Sequence, residues 1–239
     1  MFYFPFILSF IAGISTLLGS LVIFTKGNKD KIIKYSLAFA SGVMLSVSIF
    51  DLIFESLILI DSKYKFFYSA FFITIGLIIP YIIDKLFKCN NKLYKIGIFS
   101  FLTIIAHNIP EGIITYLSLN ADIKLGIAIT LAIAMHNIPE GISIAIPLYY
   151  SSKSKTKVIL LTFIAGISEF FGAIMAYLFF KNISINIIGF LLSIVAGIMS
   201  YMSILELLPN ALTYKEKKKT LIFFIIGFIF MYLNHFLIK

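Results

Sequence analysis

The sequence predicts an all-α integral membrane protein of eight transmembrane helices, with spans 1–3 repeated in inverted sense as spans 6–8 around a central pair, spans 4 and 5. Three observations carry that expectation. Of 239 residues, 60% are hydrophobic and 13% charged, and the mean hydropathy is +1.03; a soluble domain has about 25% charged residues. The basic residues are all lysine and gather between long apolar stretches. Two segments recur: FIAGIS fills 10–15 and 163–168, and HNIPEGI fills 107–113 and 136–142.

The apolar stretches run over about 5–25, 35–60, 66–87, 95–118, 124–150, 158–180, 184–213 and 220–238, each near the roughly 20 residues a spanning helix needs. Helices are expected because open strands leave backbone groups unsatisfied in lipid, and the ten-residue alternation of barrel strands is missing. The chain begins MFYFPFILSFIAG with no lysine ahead of its apolar run. It is therefore expected as a retained first span rather than a cleavable signal. No stretch is polar enough for a second, soluble unit, so residues 1–239 are expected as one transmembrane domain.

Lysine placement sets the orientation. The first, third, fifth and seventh loops carry Lys26, Lys29, Lys31 and Lys34; Lys85, Lys88, Lys92 and Lys95; Lys153, Lys155 and Lys157; and Lys215, Lys217, Lys218 and Lys219. The remainder carries only Lys63, Lys65, Lys124, Lys181 and Lys239. By the positive-inside rule the odd loops face the cytoplasm, and both termini lie outside a cell membrane. The net charge of +9 is thus a topology signal. Without arginine it does not suit a nucleic-acid surface, where arginine reads phosphates and base edges. Cys89 stands alone, which excludes an internal disulfide or a thiolate metal cluster.

The repeats are more informative than the composition. Carrying the FIAGIS register forward with a two-residue shift aligns SGVMLSVSIFDLIFESL (41–57) with AGIMSYMSILELLPNAL (196–212). Gly42 then matches Gly197, Met44 Met199, Ser48 Ser203 and Asp51 Glu206. Residues about 5–87 and 158–238 read as two copies five spans apart, crossing the membrane in opposite directions. The central pair occupies about 95–150. Such inverted repeats mark transporters, with the substrate near the midplane.

Ionisable residues at membrane depth cost at least about 2.5–3.5 kcal/mol each on insertion scales and point to function. Span 4 holds His107, Asn108 and Glu111, and span 5 holds His136, Asn137 and Glu140. On a helix each glutamate lies beside the histidine four residues earlier and the asparagine three earlier. Facing helices would form one divalent-metal site from His107, Glu111, His136 and Glu140, and a second from Asn108, Asn137 and the same glutamates. Imidazole suits zinc and iron, while the oxygen donors extend acceptance to manganese. Pro110 and Pro139 free the carbonyls of Ala106 and Met135 beside these ligands. Glu169, where the other repeat copy has Thr16, adds a third carboxylate, whose mutual repulsion two divalent ions would relieve. Asp51, Glu55 and Glu206 are candidates for the transport pathway. Asp84 reads as interfacial, His235 as structural and Cys89 as a free thiol. Competing readings are a structural hydrogen-bonded cluster and haem or quinone ligation in an electron-transfer subunit. A metalloprotease would need H-E-x-x-H, whereas this chain has H-N-x-P-E.

The paired HNIPEGI, FDLIFES of span 2, SEFFGA of span 6 and ELLPNA of span 7 resemble the ZIP (Zrt/Irt-like) metal transporters over essentially the whole chain. Bacterial-type members with HN in span 5 are similar to this chain, whereas other members replace that His or Asn with other ligands. The resemblance implies a binuclear site, with one ion on His107, Glu111, His136 and Glu140. The second would sit on Asn108, Glu111, Asn137, Glu140 and Glu169. It also implies a homodimer and import of zinc, with iron, manganese and cadmium as further cargo, by one part of the bundle moving against the other. An outward-running metal/proton exchanger is the alternative transport reading. Many relatives have a His-rich loop between spans 3 and 4; here that loop reads KLFKCNNKLYK, which argues against metal sensing there.

Overall fold

Lysine-rich segments open several of the helices. Asn28, Asn91 and Ser154 accept hydrogen bonds from the backbone N–H groups of Lys31, Tyr94 and Lys157, satisfying donors a helix start leaves bare. The helices they cap therefore begin at Lys29, Lys92 and Lys155, ahead of the apolar runs expected from about 35, 95 and 158.

The computed structural model describes residues 3–180 and 184–238; Lys181 and Lys239 lie outside them. Among the described residues, eight helices are long and apolar enough to cross a membrane. They are α1 (Phe4–Phe24), α2 (Lys29–Leu59), α3 (Lys65–Leu86) and α4 (Lys92–Ala121). The chain continues through α5 (Ile123–Ser152), α6 (Lys155–Phe179), α7 (Ile185–Ala211) and α8 (Lys217–Ile238). Helices α2 and α7 each widen into a π-helical segment, Val47–Ile53 and Met202–Leu207. Each segment contains one acid, Asp51 or Glu206. Such bulges often accompany functional positions.

Packing does not follow chain order. Helices α1, α4, α5 and α6 pack together, with α4 and α1 each running along both α5 and α6. The other four pair as α2 with α8 and α3 with α7, and the two groups meet where α2 touches α5 and α4 touches α7. The cause is small residues at the crossings, since lipid offers no hydrophobic drive for helix association. A Cβ on Gly13 would strike the Gly166 carbonyl, and one on Gly166 the Gly13 carbonyl. The two FIAGIS copies are thus the crossing of α1 and α6. Between α2, α3, α7 and α8 the close contacts are likewise reciprocal. Gly42 abuts the Phe224 carbonyl and Gly227 that of Phe39, while Gly197 abuts Ile73 and Gly76 abuts Ile194. Across α2 and α7, Ser48 Oγ donates to the Ala196 carbonyl and Ser203 Oγ to that of Ser41.

An ionic clamp closes the lysine-rich end. Buried Lys34 of α2 donates to Glu216 Oε2 at 2.7 Å and to the Lys215 carbonyl, just ahead of α8. Lys219 Nζ lies 2.6 Å from Glu216 Oε1. Those two lysines, Lys219 first, pull the Glu216 carboxyl down to about 2. Glu216 takes a left-handed backbone with φ of 64°, a cost its two lysine partners offset.

Candidate metal centre

The site forms where α4 and α5 face each other between α1 and α6. Gly112 lets the Glu169 carbonyl of α6 lie against α4, and Gly141 does the same for the Thr16 carbonyl of α1 against α5. Larger residues would push the flanking helices away from Glu111 and Glu140. Prolines 110 and 139 lie inside continuous helices, beside these glutamates.

The structure brings together all seven residues expected as ligands. His107, Asn108, Glu111, His136, Asn137, Glu140 and Glu169 are each at most 2% exposed. The histidines pair across the helices rather than along them. His107 Nε2 lies 3.0 Å from Glu140 Oε1, and His136 Nε2 3.5 Å from Glu111 Oε1. One donor atom each of His107, Glu111 and Glu140 falls within 4.8 Å of the others. Asn108 Nδ2 donates to the Ala165 carbonyl at 3.0 Å, and Asn137 Nδ2 to the Ala12 carbonyl at the same distance. Asn137 Nδ2 also lies 2.8 Å from Glu169 Oε2. Both amides thereby spend their donors on α6 and α1 and turn their oxygens elsewhere.

Those oxygens have no hydrogen-bond partner. The same holds for both oxygens of Glu111, Glu140 Oε2, Glu169 Oε1 and the Nδ1 atoms of both histidines. Each unsatisfied buried polar atom costs about 1–3 kcal/mol, so so many in one place are unusual. All are metal-donor atoms, and a nitrogen–oxygen set of this kind fits zinc and neighbouring divalent ions. Three carboxylates also supply the negative charge that a cation needs in a dry interior.

The pathway candidates separate. Asp51 and Glu55 line a cavity of about 100 Å³ that ends at Glu111 and His136. His235 lines it too, and its Nδ1 lies 2.6 Å from Asp51 Oδ1. His235, expected to stand alone, thus has a partner in Asp51, one of the acids expected along the pathway. Glu206 lies away from this cavity, within electrostatic reach of Asp84, Lys95 and Lys92. Asp84, in the last turn of α3, forms a part-exposed ion pair with Lys95 of α4 at 2.5 Å. Thr16 of α1, opposite Glu169 of α6, is also fully buried, and its hydroxyl has no hydrogen-bond partner.

Comparison with known proteins identifies relatives over most of the chain. The family profile described as "ZIP Zinc transporter" matches residues 90–235. A protein named zinc transporter ZupT from Chlorobaculum parvum is 34% identical, the match covering 89% of each chain. The ZupT of Clostridium perfringens is 35% identical over 95% of this chain and 93% of its own. That of Streptococcus mutans is 37% identical over 87% and 88%.

Proposed function

The chain belongs to the ZIP zinc transporter family, and we propose that it carries divalent transition metal across a cell membrane into the cytoplasm through the α4–α5 centre. Zinc is the principal cargo, with iron, manganese and cadmium as further ones. One observation carries this reading: two identical HNIPEGI segments bury their donor atoms face to face and leave most of them without protein partners. A merely structural cluster would satisfy its own hydrogen bonds.

Two ions share Glu111 and Glu140. The first takes His107 and His136, and the second takes Asn108, Asn137 and Glu169. The lysine-rich loops face the cytoplasm and both termini the outside. The Asp51–His235 cavity is then the outer approach. Reciprocal contacts support the inverted repeat: Gly13 with Gly166, Asn108 on Ala165 with Asn137 on Ala12, and the four glycine contacts of α2, α3, α7 and α8. Alternating access follows if the two groups of four helices slide past each other. Bound metal relieves carboxylate repulsion and so favours the state in which it is enclosed.

Radiolabelled zinc uptake into proteoliposomes tests this, with the Glu111→Ala, Glu140→Ala double variant beside the parent. Saturable uptake by the parent and none by the variant is expected. Equal uptake by both would overturn the assignment, and flux driven outward by an imposed proton gradient would replace import with exchange.

A further inference from the structure

The loop between α3 and α4 bounds a cavity of about 570 Å³, open to the surface and lined by Asp84, Lys85, Lys88, Cys89 and Lys95. Three ammoniums thus face one carboxylate, and Lys95 is already spent on Asp84 at 2.5 Å. Glu206 of α7 is within electrostatic reach of Lys92 and Lys95 but does not line the cavity. The charge of Lys85 and Lys88 is left over. Several lysines elsewhere at this end are already engaged. Lys34 and Lys219 share Glu216, Lys29 and Lys153 lie over the Tyr150 ring, and Lys157 donates to the Tyr94 hydroxyl. Among the described residues, Lys88 has neither an ion pair nor a ring beside it.

We infer that this cavity binds the phosphodiester headgroup of an anionic glycerophospholipid. Its charge is of the right kind: a lysine ammonium is a point charge that attracts phosphate, and at a membrane surface each contributes about fivefold in affinity. The surface leading to the cavity supplies the rest of the ligand's needs. Ile78, Ile82 and Leu86 follow one another at four-residue spacing along one face of α3 and are 47%, 48% and 80% exposed. This apolar stripe ends where the loop begins, so acyl chains lying along it deliver a headgroup to Lys85 and Lys88. Tyr81, whose ring lies 4.7 Å from the Lys85 ammonium, belongs to the amphipathic aromatics that mark a membrane–water boundary. A soluble anion would use the lysines but not the stripe. Lys85 lies in the last turn of α3 and Lys95 in the first turn of α4. The bound phosphodiester therefore joins one helix from each group of four, and it does so without displacing Asp84 from Lys95.

The chain's one cysteine, Cys89, lies in the cavity wall and is partly exposed, so its reactivity reports occupancy. The protein is placed in phosphatidylcholine nanodiscs, and its reaction with an uncharged maleimide is timed as phosphatidylglycerol replaces part of the lipid. Each rate is read against the same protein in phosphatidylcholine alone. The parent rate is expected to fall about tenfold, and that of the Lys85→Gln, Lys88→Gln double variant by less than about twofold. A Lys63→Gln, Lys65→Gln variant removes the same charge at the opposite end and should behave as the parent. Inorganic phosphate added to phosphatidylcholine discs should leave the rate unchanged. Equal slowing in the parent and the Lys85, Lys88 variant would reduce the effect to bulk surface charge and overturn the site. Protection by inorganic phosphate as strong as that by phosphatidylglycerol would overturn the lipid and assign the cavity to a soluble anion. A parent rate that phosphatidylglycerol does not move would overturn the inference outright. The test needs no metal, so it stands apart from the transport reading.

Discussion

Helices α1 and α6 carry the same six residues to the same crossing, yet contribute differently to the site. In both, the alanine carbonyl before the glycine accepts an asparagine amide and a serine hydroxyl. Asn137 and Ser15 reach Ala12, and Asn108 and Ser168 reach Ala165. One turn further the copies part. Glu169 holds Asn137 with one oxygen and leaves the other free, while Thr16 has a short, neutral hydroxyl with no partner. The shared residues build a frame that treats α4 and α5 alike, and the single unshared pair makes the centre lopsided in charge. The shared residues set the geometry, and the one difference, Glu169 against Thr16, supplies the third carboxylate.

The largest effect should come from removing what the two sides share. Glu111→Ala with Glu140→Ala deletes two of the three carboxylates, and zinc affinity by calorimetry should fall about 100-fold or more. Affinity within tenfold of the parent would place the site elsewhere. The frame itself comes next. Gly13→Val and Gly166→Val each drive a side chain into the opposite carbonyl, and overpacking of this kind costs about 1–3 kcal/mol. Both should lower the thermal midpoint in detergent by similar amounts; a harmless variant on one side would show that the crossing is not reciprocal. Glu169→Gln is milder. It keeps the shape and an oxygen towards Asn137 but removes the charge, and should weaken binding of the second ion about tenfold while sparing the first. Two equal affinities in that variant would mean that Glu169 serves packing only.

Much of this frame was legible in the sequence, and the reasons are specific. Eight spans could be read because lysine clusters punctuate runs of apolar residues. The helix starts could not, because Asn28, Asn91 and Ser154 cap the helices within those clusters, outside the apolar signal. The seven ligand candidates stood out as polar groups in apolar helices, and the structure buries them together. That His107 and Glu140 share one site was legible, but not that each histidine pairs with the glutamate of the opposite helix, since spacing along one helix offers a glutamate just as near. Nor were Asp51–His235 and Asp84–Lys95, whose members lie on different helices. A lone histidine on an apolar helix says nothing about its partner. That partner is set by α2 packing on α8, where Gly42 and Gly227 let the backbones touch.

The smallest expected effect tests the comparison most finely. Thr16→Val replaces an unpaired, fully buried hydroxyl with a methyl of nearly the same shape. Exchanging an unsatisfied polar group for an apolar one of equal volume is neutral or stabilising, by about 1 kcal/mol here. The thermal midpoint should therefore stay level or rise, and zinc affinity should remain within about twofold of the parent. The same calorimetry that follows Glu169→Gln reads both outcomes. If Thr16→Val weakened binding as much as Glu169→Gln, the hydroxyl would be a ligand in its own right, and α1 and α6 would contribute equally. If affinity holds while the midpoint rises, the orphan hydroxyl is a cost confined to one side. The repeat would then have kept its symmetry in backbone contacts and lost it in charge.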